Sequence, residues 1–365
     1  MRAALMIETG KPLEVVDDVE IRGPRAGEVL VGVKNCGICH SDLTVLDSPG
    51  SAAPAILGHE AAGIVEEIGT GVTNLAVGDK VVLTPCPPCG QCYWCQRGEF
   101  STCERFVGLL TGAFPDGTTG LSRQGQDVRR GLNVAGFAEY TVTQSSGAVK
   151  VPDDTPVDVA CVVGCAVQTG VGAVLNTAGV EEGATVLIMG LGGIGLSAVQ
   201  GASVANASQV IVSDPVAERR EMAIRLGATH VLDPTNDDVV TAARDLTGGI
   251  GVDYAFETAG VAALVTQGFF AARNGGTIVC VGAPSGDQAI TLAPAALFAV
   301  SGKKLLGCIL GSCNSVRDIP RLVSLWRSGR MDLEAMITSR RPLEDINAGF
   351  DDVRASRGVR TVLTI

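Results

Sequence analysis

The sequence predicts an α/β protein in which a doubly wound parallel sheet is joined to a mainly-β domain. From about Val167 onward, short apolar runs alternate with helix-compatible stretches, the pattern of a parallel sheet with right-handed crossovers. Before that point the chain reads as short strands separated by glycine turns. Its 365 residues, 46% of them apolar, exceed what one core accommodates and supply material for two.

Taken in order, Ala3 to Ile7, Val29 to Asn35 and Ala61 to Ile68 have strand composition, with Gly23-Pro24, Gly50 and Gly69-Thr70-Gly71 as punctuation. Val77-Gly78-Asp79 turns the chain into a strand from Lys80 to Leu83. Leu110 to Gly131 is polar and glycine-rich and reads as a long surface loop, followed by a strand from Phe137 to Val142. In the second half, strands are expected at 184–189, 209–212, 231–232, 252–257, 277–281 and 304–309. Helices are expected from about Leu191, then at 217–226, 237–246, 264–272 and 294–301. The uninterrupted apolar strands suit a sheet covered on both faces. A helix over 317–328 and a last strand over 361–365 return the chain to its first part. The expected division is 1–166, with a small lobe near 86–104, then 167–309, then 310–365 completing the first domain.

The formal charge of −11 and the absence of a Lys/Arg stripe argue against a nucleic-acid partner. The apolar run after Arg2 is too short for a signal peptide. The most apolar window, Ala184 to Gln200, is broken by four glycines and reads as strand, turn and helix rather than a membrane span. A cytoplasmic location is expected. Without a secretory signal, twelve cysteines read as metal ligands and buried small side chains, not as a disulfide framework.

Gly190-Leu191-Gly192-Gly193-Ile194-Gly195 carries the G-x-G-x-x-G spacing between an apolar strand and a helix. Gly190 permits the turn, Gly192 lets backbone approach a pyrophosphate, and Gly195 lets helix and sheet pack closely, as in Rossmann domains. The phosphates would meet unpaired N–H groups and the positive end of the helix dipole. Asp214 lies nineteen residues past Gly195, at the end of the next strand. A carboxylate there accepts ribose hydroxyls and repels a 2′-phosphate, which favours NAD over NADP. Arg219 is a further candidate cofactor contact, although with Arg220 its plainer reading is solvated helix surface.

Cys89, Cys92, Cys95 and Cys103 lie three, three and eight residues apart. Four thiolates at this spacing can surround one ion tetrahedrally; zinc is the default, and iron also suits an all-sulfur set. Cys86 competes as a ligand, but Pro87-Pro88 argue for a restrained turn. A four-thiolate site leaves no position for substrate, so its role is structural. Cys39, His59 and Cys165 each sit at a turn, in Gly37-Ile38-Cys39-His40, Gly58-His59-Glu60 and Gly164-Cys165-Ala166. Together they offer two thiolates and one imidazole and leave a fourth position open. Cys36, Cys86, Cys161, Cys280, Cys308 and Cys313 remain, most of them expected to be buried.

On these motifs the chain resembles, over essentially its whole length, the zinc-dependent medium-chain alcohol dehydrogenases (the MDR superfamily). The resemblance implies a GroES-like catalytic domain beside the Rossmann domain. It implies two zinc ions per subunit: Cys39, His59 and Cys165 for catalysis, the established zinc set of alcohol dehydrogenases, and Cys89, Cys92, Cys95 and Cys103 for structure. Ser41 would take the alcohol proton, Asp42 would orient His59, and Glu60 would assist ligand exchange at the metal. His40 and Arg360 would face the cofactor phosphates, and Thr169 and Val281 the nicotinamide. The implied activity is NAD-dependent oxidation of an alcohol to an aldehyde or ketone, and the reverse reduction, by hydride transfer from a zinc-held alkoxide. The implied partners are a small alcohol or aldehyde and a second copy of the chain, with a tetramer as the alternative to a dimer.

Two departures from the family stand out. The position three after Ser41 is Thr44, where many members carry the histidine that ends the proton relay. The position four after Cys103 is Val107, where the glutathione-dependent formaldehyde branch carries an arginine. The second reading, a dehydrogenase for a thiol adduct of formaldehyde, is therefore disfavoured. A regulatory protein without catalysis is disfavoured by the open ligand position and Ser41. Polyol dehydrogenases often lack the four-cysteine cluster.

Overall fold

The computed structural model describes residues 1–284 and 288–365. The chain forms two compact units. The first comprises Met1–Ala166, Asn314–Arg327 and Met336–Ile365; the second comprises Val167–Cys313 and Ser328–Ala335. Residues 310–313 and 328–335, expected with the first domain, thus group with the second.

The first unit is built on a seven-stranded sheet. Its path runs Ala148–Lys150, Lys80–Leu83, Glu60–Ile68, Glu28–Ile38, Arg360–Thr364 and Ile337–Pro342, with Tyr140–Gln144 also pairing Glu28–Ile38. The eleven-residue strand Glu28–Ile38 is the hub, because it carries three partners and ends beside Cys39. Glycine sets the closeness of its pairing with Glu60–Ile68: a Cβ at Gly63 would lie 2.1 Å from the Gly32 carbonyl oxygen. The core beneath contains Val29, Val31, Val65, Val81 and Leu83, and Phe137 meets Phe350 edge-on with centroids 6.1 Å apart.

The expected loop from Leu110 to Gly131 is more structured than its composition suggests. A short helix, Val107–Thr111, enters it. Leu121–Arg123 and Gln126–Asp127 form a hairpin, and Arg129–Arg130 pairs with Ala55–Ile56. Phe114, Leu121 and Val128 within it are buried, while Leu110 at its start is exposed. Strands of two or three residues are too short to leave an alternation in the sequence.

The second unit holds six parallel strands in the order His230–Leu232, Gln209–Ser213, Thr185–Met189, Val252–Glu257, Ala272–Cys280 and Lys304–Gly307. In chain order this is 3-2-1-4-5-6, the doubly wound dinucleotide-binding arrangement. Val186, Leu187, Ile188, Val210, Ile211 and Val212 are buried, consistent with a covered sheet. Strand order reverses between Thr185–Met189 and Val252–Glu257, and ligands of such sheets bind at the carboxyl ends flanking that point. Helix Val239–Leu246 starts at Asp238, whose carboxylate accepts from the N–H groups of Val240 and Thr241. Among the described residues no single helix is long and apolar enough to cross a membrane.

Candidate metal centres and dinucleotide site

The lobe is made by tight turns at Gly90 and Gly98, both with positive φ, flanking the one-turn helix Tyr93–Gln96. Among the described residues these turns bring Cys89, Cys92, Cys95 and Cys103 together, with their sulfurs mutually within 4.8 Å. Cys89 Sγ is 4.0 Å from Cys95 Sγ, and Cys92 Sγ is 3.8 Å from Cys103 Sγ. A tetrahedron with 2.3 Å zinc–sulfur bonds has edges of about 3.8 Å, so the donor set fits the ion. The N–H of Cys92 donates to Cys89 Sγ and that of Cys89 to Cys103 Sγ, which favours thiolates. Burial opposes ionisation of Cys92, yet the backbone N–H groups of Glu104 and Cys95 bring its thiol down to about 6. Cys86 is buried but stands outside the group; burial pushes its thiol up to about 12, as it does that of Cys103.

Cys39, His59 and Cys165 also converge, with their ligand atoms mutually within 4.8 Å and all three residues buried. Cys39 follows the hub strand directly and is the N-cap of helix His40–Asp47. Asp42, in the first turn of that helix, organises the site. Its Oδ2 accepts the N–H of Cys39 at 3.1 Å; its Oδ1 accepts that of Gly58 at 2.9 Å and lies 3.0 Å from His59 Nδ1. The carboxylate thereby fixes Nδ1 as the protonated nitrogen and leaves Nε2 as the ligand atom. Gly58 is required locally: its φ is +88°, and a Cβ would lie 2.6 Å from the Phe137 ring.

Glu60 ties the second ligand strand to the third ligand turn. Its Oε1 accepts the N–H of Ala166, next to Cys165, at 3.0 Å. Its Oε2 lies 3.2 Å from Arg360 Nε, off the line of a hydrogen bond. Gly37 makes room for it, since a Cβ there would lie 2.4 Å from Oε2. Burial pushes the Glu60 carboxyl up to about 7 against the pull of Arg360. Arg360, expected at a pyrophosphate, is itself buried, and its Nη1 donates to the Ile38 carbonyl at 2.7 Å. Nothing in the sequence signals the pairing of Glu60 with Arg360, three hundred positions apart.

The Cys39 thiol is held well below its ordinary value, first by the hydrogen bond from Cys165 and then against burial by the charges of Arg360 and His59. Burial disfavours a charged His59, but the Asp42 carboxylate outweighs it and raises the imidazole. Two thiols and one oriented imidazole, with no fourth protein ligand among the described residues, suit a zinc site with one open position. Asn in place of Asp42 offers one acceptor where three donors converge. Asp42→Asn is expected to weaken zinc at this centre by roughly 10- to 100-fold, measured by chelator competition; an unchanged affinity would show that Asp42 does not orient the ligand.

Ser41 Oγ is 3.8 Å from Cys39 Sγ and half-exposed. The Thr44 hydroxyl turns back onto its own helix and donates to the His40 carbonyl at 3.1 Å, while the His40 side chain is exposed.

In the second unit, the glycine turn joins strand Thr185–Met189 to helix Gly193–Val204. Gly190 has φ +96° and packs on Ala259; a Cβ at Gly195 would lie 1.8 Å from the Gly190 carbonyl oxygen. Gly192 instead faces open space, and as N-cap it makes no side-chain hydrogen bond. The first N–H groups of the helix therefore lack a side-chain cap beside an unobstructed backbone, which fits an anionic diphosphate. Asp214 accepts the N–H groups of Leu191 at 2.6 Å and Val216 at 2.8 Å, and each oxygen keeps a further lone pair for a hydroxyl donor. Arg219 is half-buried. Arg220 is not simple solvated surface: it donates to the Asp214 carbonyl at 2.6 Å and to Asp233 at 3.0 Å. Thr169 is buried at helix Ala166–Gly172, and Val281 is buried just past strand Ala272–Cys280.

Comparison with known proteins follows the same division. Residues 25–153 match the alcohol dehydrogenase GroES-like domain, and residues 193–327 match the zinc-binding dehydrogenase family. The chain is 37% identical to the NDMA-dependent alcohol dehydrogenase of Amycolatopsis methanolica, over 99% of this chain and 98% of the relative. It is equally 37% identical to the S-(hydroxymethyl)glutathione dehydrogenase of Paracoccus denitrificans, over 99% of both. The crystal structure of benzyl alcohol dehydrogenase from Acinetobacter calcoaceticus superposes with a TM-score of 0.94 at 35% identity, covering 100% of this chain and 99% of the other.

Proposed function

Because the chain belongs to the zinc-dependent alcohol dehydrogenases of the medium-chain family, we propose that it oxidises a small alcohol to an aldehyde or ketone with NAD, and runs the reverse reduction. The observation that carries this reading is the buried Cys39, His59 and Cys165 set with one position open. Zinc bound there would act as a Lewis acid on the substrate oxygen, and bound nicotinamide would accept the hydride. Asp42 keeps His59 in the tautomer that presents Nε2. Glu60 holds the Cys165 turn against the His59 strand through the Ala166 N–H. Ser41 takes the alcohol proton at Oγ. Thr44 does not carry that proton onward, because its hydroxyl is engaged with the His40 carbonyl; the relay leaves through His40 or through the cofactor ribose and a water. The Cys89, Cys92, Cys95 and Cys103 set holds a second, structural zinc.

In the second unit the N–H groups at Gly192 to Gly195 would receive the pyrophosphate, and Asp214 the adenosine ribose, favouring NAD over NADP. Arg219 remains a candidate cofactor contact, His40 and Arg360 candidate contacts of the cofactor phosphates, and Thr169 and Val281 candidate nicotinamide contacts. The cytoplasm is the proposed location. The edge strand Lys304–Gly307, flanked in sequence by exposed Leu297, Val300 and Ile309, is the proposed contact of a homodimer.

The thiol-adduct reading has a relative behind it, but Val107 stands where that branch places its arginine. Primary, secondary and aromatic alcohols are therefore to be assayed against NAD, NADP and NDMA, with and without low-molecular-weight thiols. Turnover of free alcohols with NAD and about two zinc ions per chain is expected. Turnover of formaldehyde only in the presence of a thiol would move the assignment to the second reading.

A further inference from the structure

Away from both thiol sets, Arg130 heads the fully buried side chains of the described residues by volume, with 1% of its surface exposed. A buried cation ordinarily has a carboxylate against it. Arg130 has none within 4.0 Å among the described residues. Its Nη1 and Nη2 donate to Asn133 Oδ1 at 3.2 Å and to the Asn133 carbonyl at 2.7 Å. Its guanidinium stacks on the Phe114 ring at 4.1 Å, and Nε has no partner. The nearby carboxylate, Glu28, is already taken by Arg22 in a two-pronged pair at 2.6 and 3.1 Å and by the Arg25 N–H at 2.9 Å. Arg22 also reaches the Phe114 ring, at 5.1 Å, so positive charge there exceeds negative.

Arg130 also lines a small cavity. Its polar lining is Arg105, Arg130, Asn133, Thr143 and Gln144, with no carboxylate. Burial pushes the guanidinium down to about 9, opposed by the charge of Glu28 and aided by that of Arg22. Guanidinium groups keep their proton in proteins. A small anion beside it would offset the remaining cost of burying the charge.

We propose that this cavity is a binding site for one halide-sized anion, held by Arg130, with Arg105, whose Nη1 donates to Ser146 Oγ, also in its lining. Bound chloride would tie together the 105–114 segment, the turn at 130–133 and the strand Tyr140–Gln144. The site is independent of both zinc positions and of the dinucleotide loop.

The zinc-loaded protein is to be crystallised in bromide, and melted in chloride and in gluconate at equal ionic strength. An anomalous bromide peak within hydrogen-bond distance of the Arg130 guanidinium is expected, with Tm about 2 °C higher in chloride. Arg130→Met should lose the difference between the two salts. Arg105→Gln, at a partly exposed position, should raise the chloride concentration at half-effect at least about threefold, and serves if the first variant does not fold. Water without an anomalous peak in the cavity, or a chloride effect that persists unchanged in either variant, would overturn the proposal.

Discussion

Serine in place of Cys39 is expected to lower kcat for alcohol oxidation about a thousandfold or more while leaving close to one zinc ion per chain. A neutral hydroxyl is a poor zinc ligand beside a thiolate, and only His59 and Cys165 would remain. Lewis-acid stabilisation of the developing alkoxide is worth several kcal/mol, which at 1.36 kcal/mol per tenfold gives about that factor. The retained zinc belongs to the lobe, whose four thiols form a separate donor set. Zinc determination by atomic emission beside steady-state kinetics checks both halves. Near-normal turnover with a single zinc would mean that catalysis does not depend on Cys39.

What could be read from the sequence follows the range of the contacts. The four lobe thiols and the glycine turn are local features, so spacing alone finds them. Cys39, His59 and Cys165 are far apart in the chain, and only their turns and the family resemblance joined them. The support beneath was not legible. Glu60 faces Gly37 across one strand pair, and Thr361 faces Ile38 across the next, so two long-range registers stack Glu60 and Arg360 together. No periodicity within either strand encodes that neighbour. The same limit applies to Arg130, whose basic side chain suggests surface but whose short strand pairs with Ala55–Ile56 inside the unit.

Loss of a lobe thiol should have the opposite signature. In Cys103→Ser the chain is expected to lose one zinc ion and the order of residues 86–104, while the glycine turn at 190–195 stays protected. The reason lies in what the lobe buries. Its own apolar cluster consists of Cys92, Cys95 and Cys103 with Cys89 and Phe100 against them. Tyr93 and Trp94 turn outward at 65% and 40% exposure and stack edge-on at 5.8 Å rather than filling a core. So little burial cannot offset the entropy of ordering the segment, whereas a four-thiolate zinc supplies on the order of 10 kcal/mol to folding. Removing one thiolate forfeits several kcal/mol of that, enough for a rise of about a hundredfold or more in local opening. Hydrogen exchange and limited proteolysis should therefore localise the change to the lobe. A Cys103→Ser protein that kept two zinc ions and unaltered protection there would show that packing, not metal, holds the lobe.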